Sequence, residues 1–246
     1  MPTAHRFLKE AGPPFKAAVL GASGSVGRPL VAHLLQTEAC TKVVLLNRRN
    51  ISDLSDERVE QRTVDMESLY ESSLSVLREA PVDVVFVTLG IGQPSKVSRE
   101  ELERVDVTLP TEFAKAAKAA DVHHAVLMTS VGADINAKYS WLTKTAAGGG
   151  LYVHLKGKVE KNFSDLNFDT LGVVRPGTLV GSPNTPGSVA AVSKAINWAL
   201  PAKYKEIRVD DLAAGMVTHA LLAVKGALPA APTTAFYEGK SLFELV

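Results

Sequence analysis

Between Pro14 and Arg175 the chain alternates short, continuous apolar runs with longer stretches in which apolar residues recur every three or four positions. A continuous apolar run of strand length suits a strand covered on both faces, and its alternation with helical periodicity is the mark of βαβ units in a parallel sheet. The runs predict strands over Ala17–Gly21, Lys42–Asn47, Gln61–Asp65, Val82–Leu89, His124–Thr129 and Thr170–Arg175. Val26, Leu30, Val31, Leu34 and Leu35 share a helical face in Val26–Leu35, as do Phe113, Ala116, Ala117 and Ala120 in Leu109–Ala120. Further helices are expected over Ser188–Leu200 and, from an Asp210-Asp211 N-cap, through Val224.

These elements predict an α/β fold: a single Rossmann-type doubly wound parallel sheet with helices on both faces, over residues 16–246. Small C-terminal elements are expected to shape a substrate pocket, and residues 1–15 read as a surface extension, with an organellar address left open though no feature supports it. The connections Val131–Gly150 and Thr178–Gly187 are longer than the sheet needs. Both leave carboxyl ends of strands, where open α/β sheets bind ligands, so Gly148-Gly149-Gly150 and the Pro183/Pro186 loop are expected to wall a pocket.

Composition narrows the function classes. The 246 residues, 46% hydrophobic, can bury a sizeable core. With 27 Lys+Arg against 26 Asp+Glu, no global field draws the chain to nucleic acid or an anionic membrane, and small-molecule partners fit better. A protein partner or a homodimer stays open. The apolar runs fall far short of the roughly 20 residues that span a bilayer, and residues 1–15 lack an apolar core of secretory type. Cys40 is the single cysteine, so an intramolecular disulfide is excluded and a reducing, cytoplasmic compartment is expected. His123 and His124 are sequence neighbours on a strand and point to opposite faces, so they make a poor chelate, and no metal site is expected.

Gly21-Ala22-Ser23-Gly24-Ser25-Val26-Gly27 places three glycines directly after an apolar run and directly before a helical pattern. Glycine permits positive φ and removes Cβ, so the chain can turn sharply and bring N–H groups to a pyrophosphate at the positive end of the helix. A Walker loop is excluded, because Arg28-Pro29 follows Gly27 where Lys and Ser or Thr are required. At the end of the second strand an NAD site would place a carboxylate on the ribose. Asn47, Arg48 and Arg49 stand there instead, which favours NADP (NADPH) over NAD through guanidinium recognition of a 2′-phosphate. A solvated strand-end pair is the plain alternative. Asp65 and Met66 suit contacts with adenine, or Asp65 simply caps a helix beginning near Glu67. Leu89 and Gly90 let backbone lie against the cofactor, or merely turn the chain.

Tyr152 and Lys156 are four positions apart and share one helix face. A nearby ammonium stabilises a phenolate, bringing the phenol toward the working range of an acid/base catalyst. Thr129 and Ser130 end the preceding strand, and Ser130 is the better candidate to orient a carbonyl. Tyr139 has Thr143 at the same spacing and therefore lacks the ammonium, while His154 lies off the Tyr/Lys face and Cys40 reads as a packing residue.

Taken with Val64-Asp65-Met66, Ser130-Val131-Gly132-Ala133-Asp134, Lys156-Gly157-Lys158-Val159-Glu160 and Val174-Arg175-Pro176-Gly177, these motifs resemble the atypical short-chain dehydrogenase/reductases, and within them the Tat-interacting-protein family of oxidoreductases. The resemblance implies NADP(H) binding and hydride transfer to a carbonyl, with Ser130, Tyr152 and Lys156 at the catalytic positions and Pro176, Gly177 and Thr178 near the nicotinamide. Asn47 stands where the family frequently has Gly. The function expected is an NADP-dependent reductase of a small carbonyl compound. The alternatives are a cofactor-sensing regulator or scaffold without turnover and, more distantly, an isomerase or epimerase using the same pair.

Overall fold

A computed structural model of the chain describes residues 12–138, 150–181 and 200–246. Tyr139, Gly148-Gly149, Pro183, Pro186, nearly all of the expected Ser188–Leu200 helix and most of the N-terminal extension lie outside the described residues.

Seven strands, β1 (Phe15–Leu20), β2 (Cys40–Asn47), β3 (Val59–Thr63), β4 (Val84–Val87), β5 (His124–Met128), β6 (Thr170–Arg175) and β9 (Thr233–Glu238), form one parallel sheet in the order β3-β2-β1-β4-β5-β6-β9. Two short strands, β7 (Leu179–Val180) and β8 (Ile207–Arg208), pair apart from it. Among the described residues the α-helices are α1 (Gly27–Gln36), α2 (Leu69–Glu79), α3 (Arg99–Glu103), α4 (Leu109–Ala119), α5 (Gly150–Asp165), α6 (Val209–Val224) and α7 (Lys240–Leu245). This is the doubly wound α/β arrangement, with the order reversing between β1 and β4, where such sheets leave a crevice at their carboxyl ends.

Strand side chains alternate between two cores. Ala17, Val19, Val43 and Leu45 face the layer of α1 and α6, while Ala18, Leu20, Val44 and Leu46 face that of α2, α4 and α5. Both sets are buried, which is why these strands read as unbroken apolar runs.

Several boundaries move. Gly21 lies beyond β1, in a turn with φ +99. β3 spans Val59–Thr63, two residues earlier than expected, because its partly exposed edge position carries the polar VEQRT. β4 is trimmed to Val84–Val87. Arg208, not the Asp210-Asp211 pair, is the N-cap of α6, and Asp210 in the first turn instead meets His33 across the layer at 3.1 Å. β9 and α3 were not expected: β9 is an edge strand following the turn-forming 227–232 segment, and its TTAFYE lacks an apolar run.

α6 is buried nearly all round and takes His219 into the core, where its Nδ1 lies 2.9 Å from the Tyr237 hydroxyl and its ring fills the space that a Cβ on Gly172 would need. Burial, with a smaller repulsion from His124, pushes the imidazole down to about 4 from its usual 6.5. Between those values the unfolded chain binds more protons than the folded one. Stability is therefore full above about pH 6.5 and falls as pH drops toward 4, by about 3 kcal/mol at most from this residue. Urea unfolding at pH 7.5 and pH 5 should show this loss in the wild type and a distinctly smaller one in His219→Gln; equal losses would contradict it.

Candidate functional site

The glycine turn closes through backbone contacts that no other residue permits. The Gly24 N–H donates to the Gly21 carbonyl at 3.0 Å, and a Cβ on Gly27 would lie 2.1 Å from that same oxygen. A Cβ on Gly21 would strike the backbone of Thr88-Leu89 at 2.6–2.8 Å. The turn is thus pressed between the start of α1 and the end of β4, and the Thr88 hydroxyl donates to the Gly21 carbonyl at 3.2 Å. α1 has no acidic residue in its first turn and no side-chain cap at Val26, so its positive end is left for an anion.

Against this turn lies a cavity of about 420 Å³, within the range of ligand pockets. Leu20, Gly21, Ser23, Met66 and Leu89 line it, together with Arg28, Asn47, Arg48, Arg49 and Asp53. Asp65 does not reach it. Its carboxylate accepts from the Glu67 N–H and the Ser68 hydroxyl, both at 2.9 Å, and the first of these holds its carboxyl below the usual range. Asn47 is buried and donates to Gln61 Oε1. Gln61 in turn accepts from the Ile51 N–H at 2.7 Å and donates to the carbonyls of Ile51 at 2.9 Å and Leu54 at 3.1 Å, pinning the loop after β2. That loop carries Asp53 to Arg28, which the sequence reading passed over. Of the turn, only Gly21 and Ser23 line the cavity; Gly24, Ser25, Val26 and Gly27 are not among its lining residues.

Lys156 lies deeper. Its ammonium is 4% exposed and donates to Asp106 Oδ1 at 2.7 Å, with that carboxylate wholly buried. Burial alone would lower the lysine, but attraction from Tyr152 and Asp106 outweighs it and holds the ammonium above its usual range. The Tyr152 ring centroid is 5.4 Å from Nζ, within cation–π range. Asp106 sits in a π-helical turn, Arg104–Thr108, between α3 and α4. Pro110 explains it: proline has no N–H for the Asp106 carbonyl, and the Leu109 N–H donates instead to Arg104, five residues back. Gly90 makes room for the pair, since a Cβ there would lie 2.9 Å from Asp106 Oδ1 and 3.4 Å from Lys156 Nζ. Sequence reasoning missed Asp106; the available signal was a carboxylate within an apolar helix four residues before a proline.

Ser130 is brought to the same strand ends. Its Oγ is buried with no partner among the described residues, as is Asp106 Oδ2, whereas the Thr129 hydroxyl is committed to Glu160 Oε1 at 2.6 Å. The Val131 N–H donates to the Pro176 carbonyl at 2.9 Å, which sets the Pro176-Gly177-Thr178 segment beside Ser130. Gly177 is required there for packing, because a Cβ would meet the Lys205 carbonyl at 2.8 Å. Glu160, one turn beyond Lys156, receives Arg175 Nε at 2.9 Å and Nη2 at 2.5 Å, and Arg175 reaches Glu238 on β9 at 3.2 Å. The loop after β5 is pressed onto α5 at Gly157, where a Cβ would lie 2.1 Å from Ile135 N. His154 lies off the Tyr/Lys face and meets the Ile135 carbonyl at 2.7 Å. Cys40 is buried on β2, its thiol pushed up to about 12 by burial.

The chain's relatives place it in a family. The family described as NAD(P)H-binding matches residues 21–221. Protein HTATIP2 of Rattus norvegicus is 33% identical over 164 residues, which are 66% of this chain and 62% of that one, so the match spans slightly under two thirds of the rat protein. Protein fmp52, mitochondrial, of Emericella nidulans is 26% identical over 230 residues, 89% of this chain and 93% of that one. Among solved structures, the Bordetella bronchiseptica enzyme WbmG in complex with NAD shares the fold at a TM-score of 0.66 and 13% identity, over 96% of this chain and 77% of that one. The mitochondrial name, carried by further fungal relatives, overturns the cytoplasmic expectation. A lone buried cysteine excludes an intramolecular disulfide in either compartment and could not have distinguished them. No helix among the described residues is long and apolar enough to cross a membrane.

The glycine contacts give a measurable contrast. Gly27→Ala and Gly157→Ala drive a Cβ into backbone at 2.1 Å and should each cost about 1–3 kcal/mol in urea unfolding. Gly92→Ala, with nothing within 4 Å, should be nearly neutral, and equal costs at all three positions would contradict these contacts.

Proposed function

The chain belongs to the NAD(P)H-binding family, and from that premise we propose that it is an NADP-dependent reductase of a small carbonyl compound, with Tyr152 as general acid and base. The observation that carries the reading is the fully buried Lys156–Asp106 pair beside Tyr152. A buried ion pair is at best a weak stabilising device, and here it fixes a cation next to a phenol at the carboxyl edge of the sheet. A protein that only sensed its cofactor would have no need of that arrangement.

In this reading the glycine turn 21–27 and the start of α1 hold the pyrophosphate, Met66 and Leu89 contact the adenosine half, and Arg48 and Arg49 meet the 2′-phosphate. The chemistry that bound NADPH supplies is a hydride for the carbonyl carbon. Tyr152 delivers the accompanying proton to the carbonyl oxygen, and Lys156 stabilises the phenolate left behind. Asp106 keeps the lysine charged and in place, which makes it a positioning residue. The Ser130 hydroxyl, unpartnered among the described residues, donates to the same carbonyl oxygen. Pro176, Gly177 and Thr178 border the nicotinamide side.

Binding and turnover test the two halves separately. NADPH should bind more tightly than NADH, and NADPH oxidation should be found within a panel of aldehydes, ketones and quinones. Tyr152→Phe should lose about 10²- to 10⁴-fold in kcat with NADPH affinity preserved. Undiminished turnover in that variant would remove the role given to Tyr152, and equal affinity for the two cofactors would remove the role given to Arg48 and Arg49. The fungal relatives' names support residence in mitochondria, and imaging of the tagged full chain against a mitochondrial marker checks it.

A further inference from the structure

Among the described residues, the cavity beside the glycine turn is lined by one carboxylate and three guanidiniums, and nothing in the glycine fingerprint calls for the carboxylate. Asp53 grips Arg28, the residue directly after Gly27, with two oxygens on two nitrogens: Oδ2 to Nη1 at 2.5 Å and Oδ1 to Nη2 at 3.2 Å. That is the fork by which an arginine takes a phosphate. Arg48 and Arg49, which line the same cavity, have no carboxylate partner among the described residues. Asp53 does not occupy the strand-end position from which an acidic residue takes the ribose of NAD; Asn47 fills that place. Its own place is set by Gln61, which clamps the backbone of Ile51 and Leu54 on either side of it.

We propose that Asp53 is a specificity-setting counter-ion, an internal stand-in for the cofactor's 2′-phosphate that holds Arg28 in readiness and yields it when a phosphomonoester enters the cavity. The proposal rests on the NADP reading above and adds to it a competitor within the site. Both side chains are largely exposed, 46% for Arg28 and 62% for Asp53, so the pair is weak and readily exchanged. A phosphomonoester carries close to two charges against the carboxylate's one, and Arg48 and Arg49 add to its side of the exchange. A ligand lacking the 2′-phosphate offers Arg28 nothing better, so the pair stays closed. Asp53 therefore lowers affinity for phosphorylated adenosines while leaving the unphosphorylated ones nearly unaffected.

Calorimetric titration with adenosine 2′,5′-bisphosphate and adenosine 5′-phosphate reads this without turnover. Asp53→Asn should tighten the bisphosphate about fivefold and leave the monophosphate within about twofold, as loss of one exposed ion pair allows. In an Arg28→Gln background the same substitution should have no selective effect. Unchanged bisphosphate affinity in Asp53→Asn, or an equal gain for both probes, would overturn the counter-ion role, and weaker monophosphate binding would make Asp53 a ribose acceptor instead. Wild-type protein that prefers the bisphosphate while Asp53→Asn changes nothing sinks this inference alone. Wild-type protein that binds both probes equally sinks the NADP reading, and the inference with it.

Discussion

Burying the Lys156 ammonium imposes a condition that the surrounding chain has to meet: a charge removed from water must be neutralised and hydrogen-bonded, or the group gives up its proton. Asp106 meets it, and much of the local architecture follows from bringing Asp106 there. The helical run from Arg99 to Ala119 departs from α geometry at the residues that carry Asp106, where Pro110 interrupts the ladder. Gly90 removes the side chain that would separate the pair from the end of β4. Two further links, Lys158 to Glu103 at 2.6 Å and Asn162 to Thr111 at 3.0 Å, dock α5 along the same run. A glycine, a proline and a carboxylate, distant in sequence, thus serve one lysine.

A second ionic group braces the sheet beneath it. Glu160 lies one turn past Lys156 on α5 and gathers the Thr129 hydroxyl and the Arg175 guanidinium, and Arg175 extends to Glu238. The ends of β5, β6 and β9 are therefore tied to the helix that carries Tyr152 and Lys156. Arg175 also lies 4.7 Å from the ring centroid of Phe236, which gives the exposed edge strand a contact that its own sequence does not advertise.

What could be read from the sequence was whatever depended on local pattern. The buried strands appear as apolar runs because both their faces are covered, and α1 and α4 appear because their inward residues keep helical spacing. The glycine turn was legible because part of its steric demand is local: Gly24 and Gly27 both close on the Gly21 carbonyl, whereas Gly21 itself is required by Thr88-Leu89 at the end of β4. The partners of the site residues were not legible. Asp106 lies 50 residues before Lys156 and Asp53 lies 25 after Arg28, and only the topology joins them. β9 was missed for a related reason: its place is set by pairing with β6, not by hydrophobicity. Gly90 was read as lying against the cofactor or merely turning the chain, and Gly177 was set near the nicotinamide by the family resemblance; what neither reading contained is that a Cβ would meet the Lys156–Asp106 pair at Gly90 and the 203–205 segment at Gly177.

The two halves of the site differ in how their charges meet solvent, and that difference governs how each responds to its surroundings. Arg28, Arg48, Arg49 and Asp53 line an open, wet cavity, where charges are screened within about 8 Å at physiological ionic strength and exchange partners at little cost. Lys156 and Asp106 are sealed, so salt scarcely reaches them and neither can change charge without leaving the other uncompensated. Selection among nucleotides belongs in the first environment, because a ligand that has to come and go is best held by contacts that break easily. In the proposed reading the proton donor, Tyr152, stands beside the second, where its neighbouring charge is fixed. The glycine turn and Arg48 follow β1 and β2, while Gly90 and Lys156 follow β4 and β5, so in that reading a dinucleotide lying along the carboxyl edge would meet both environments.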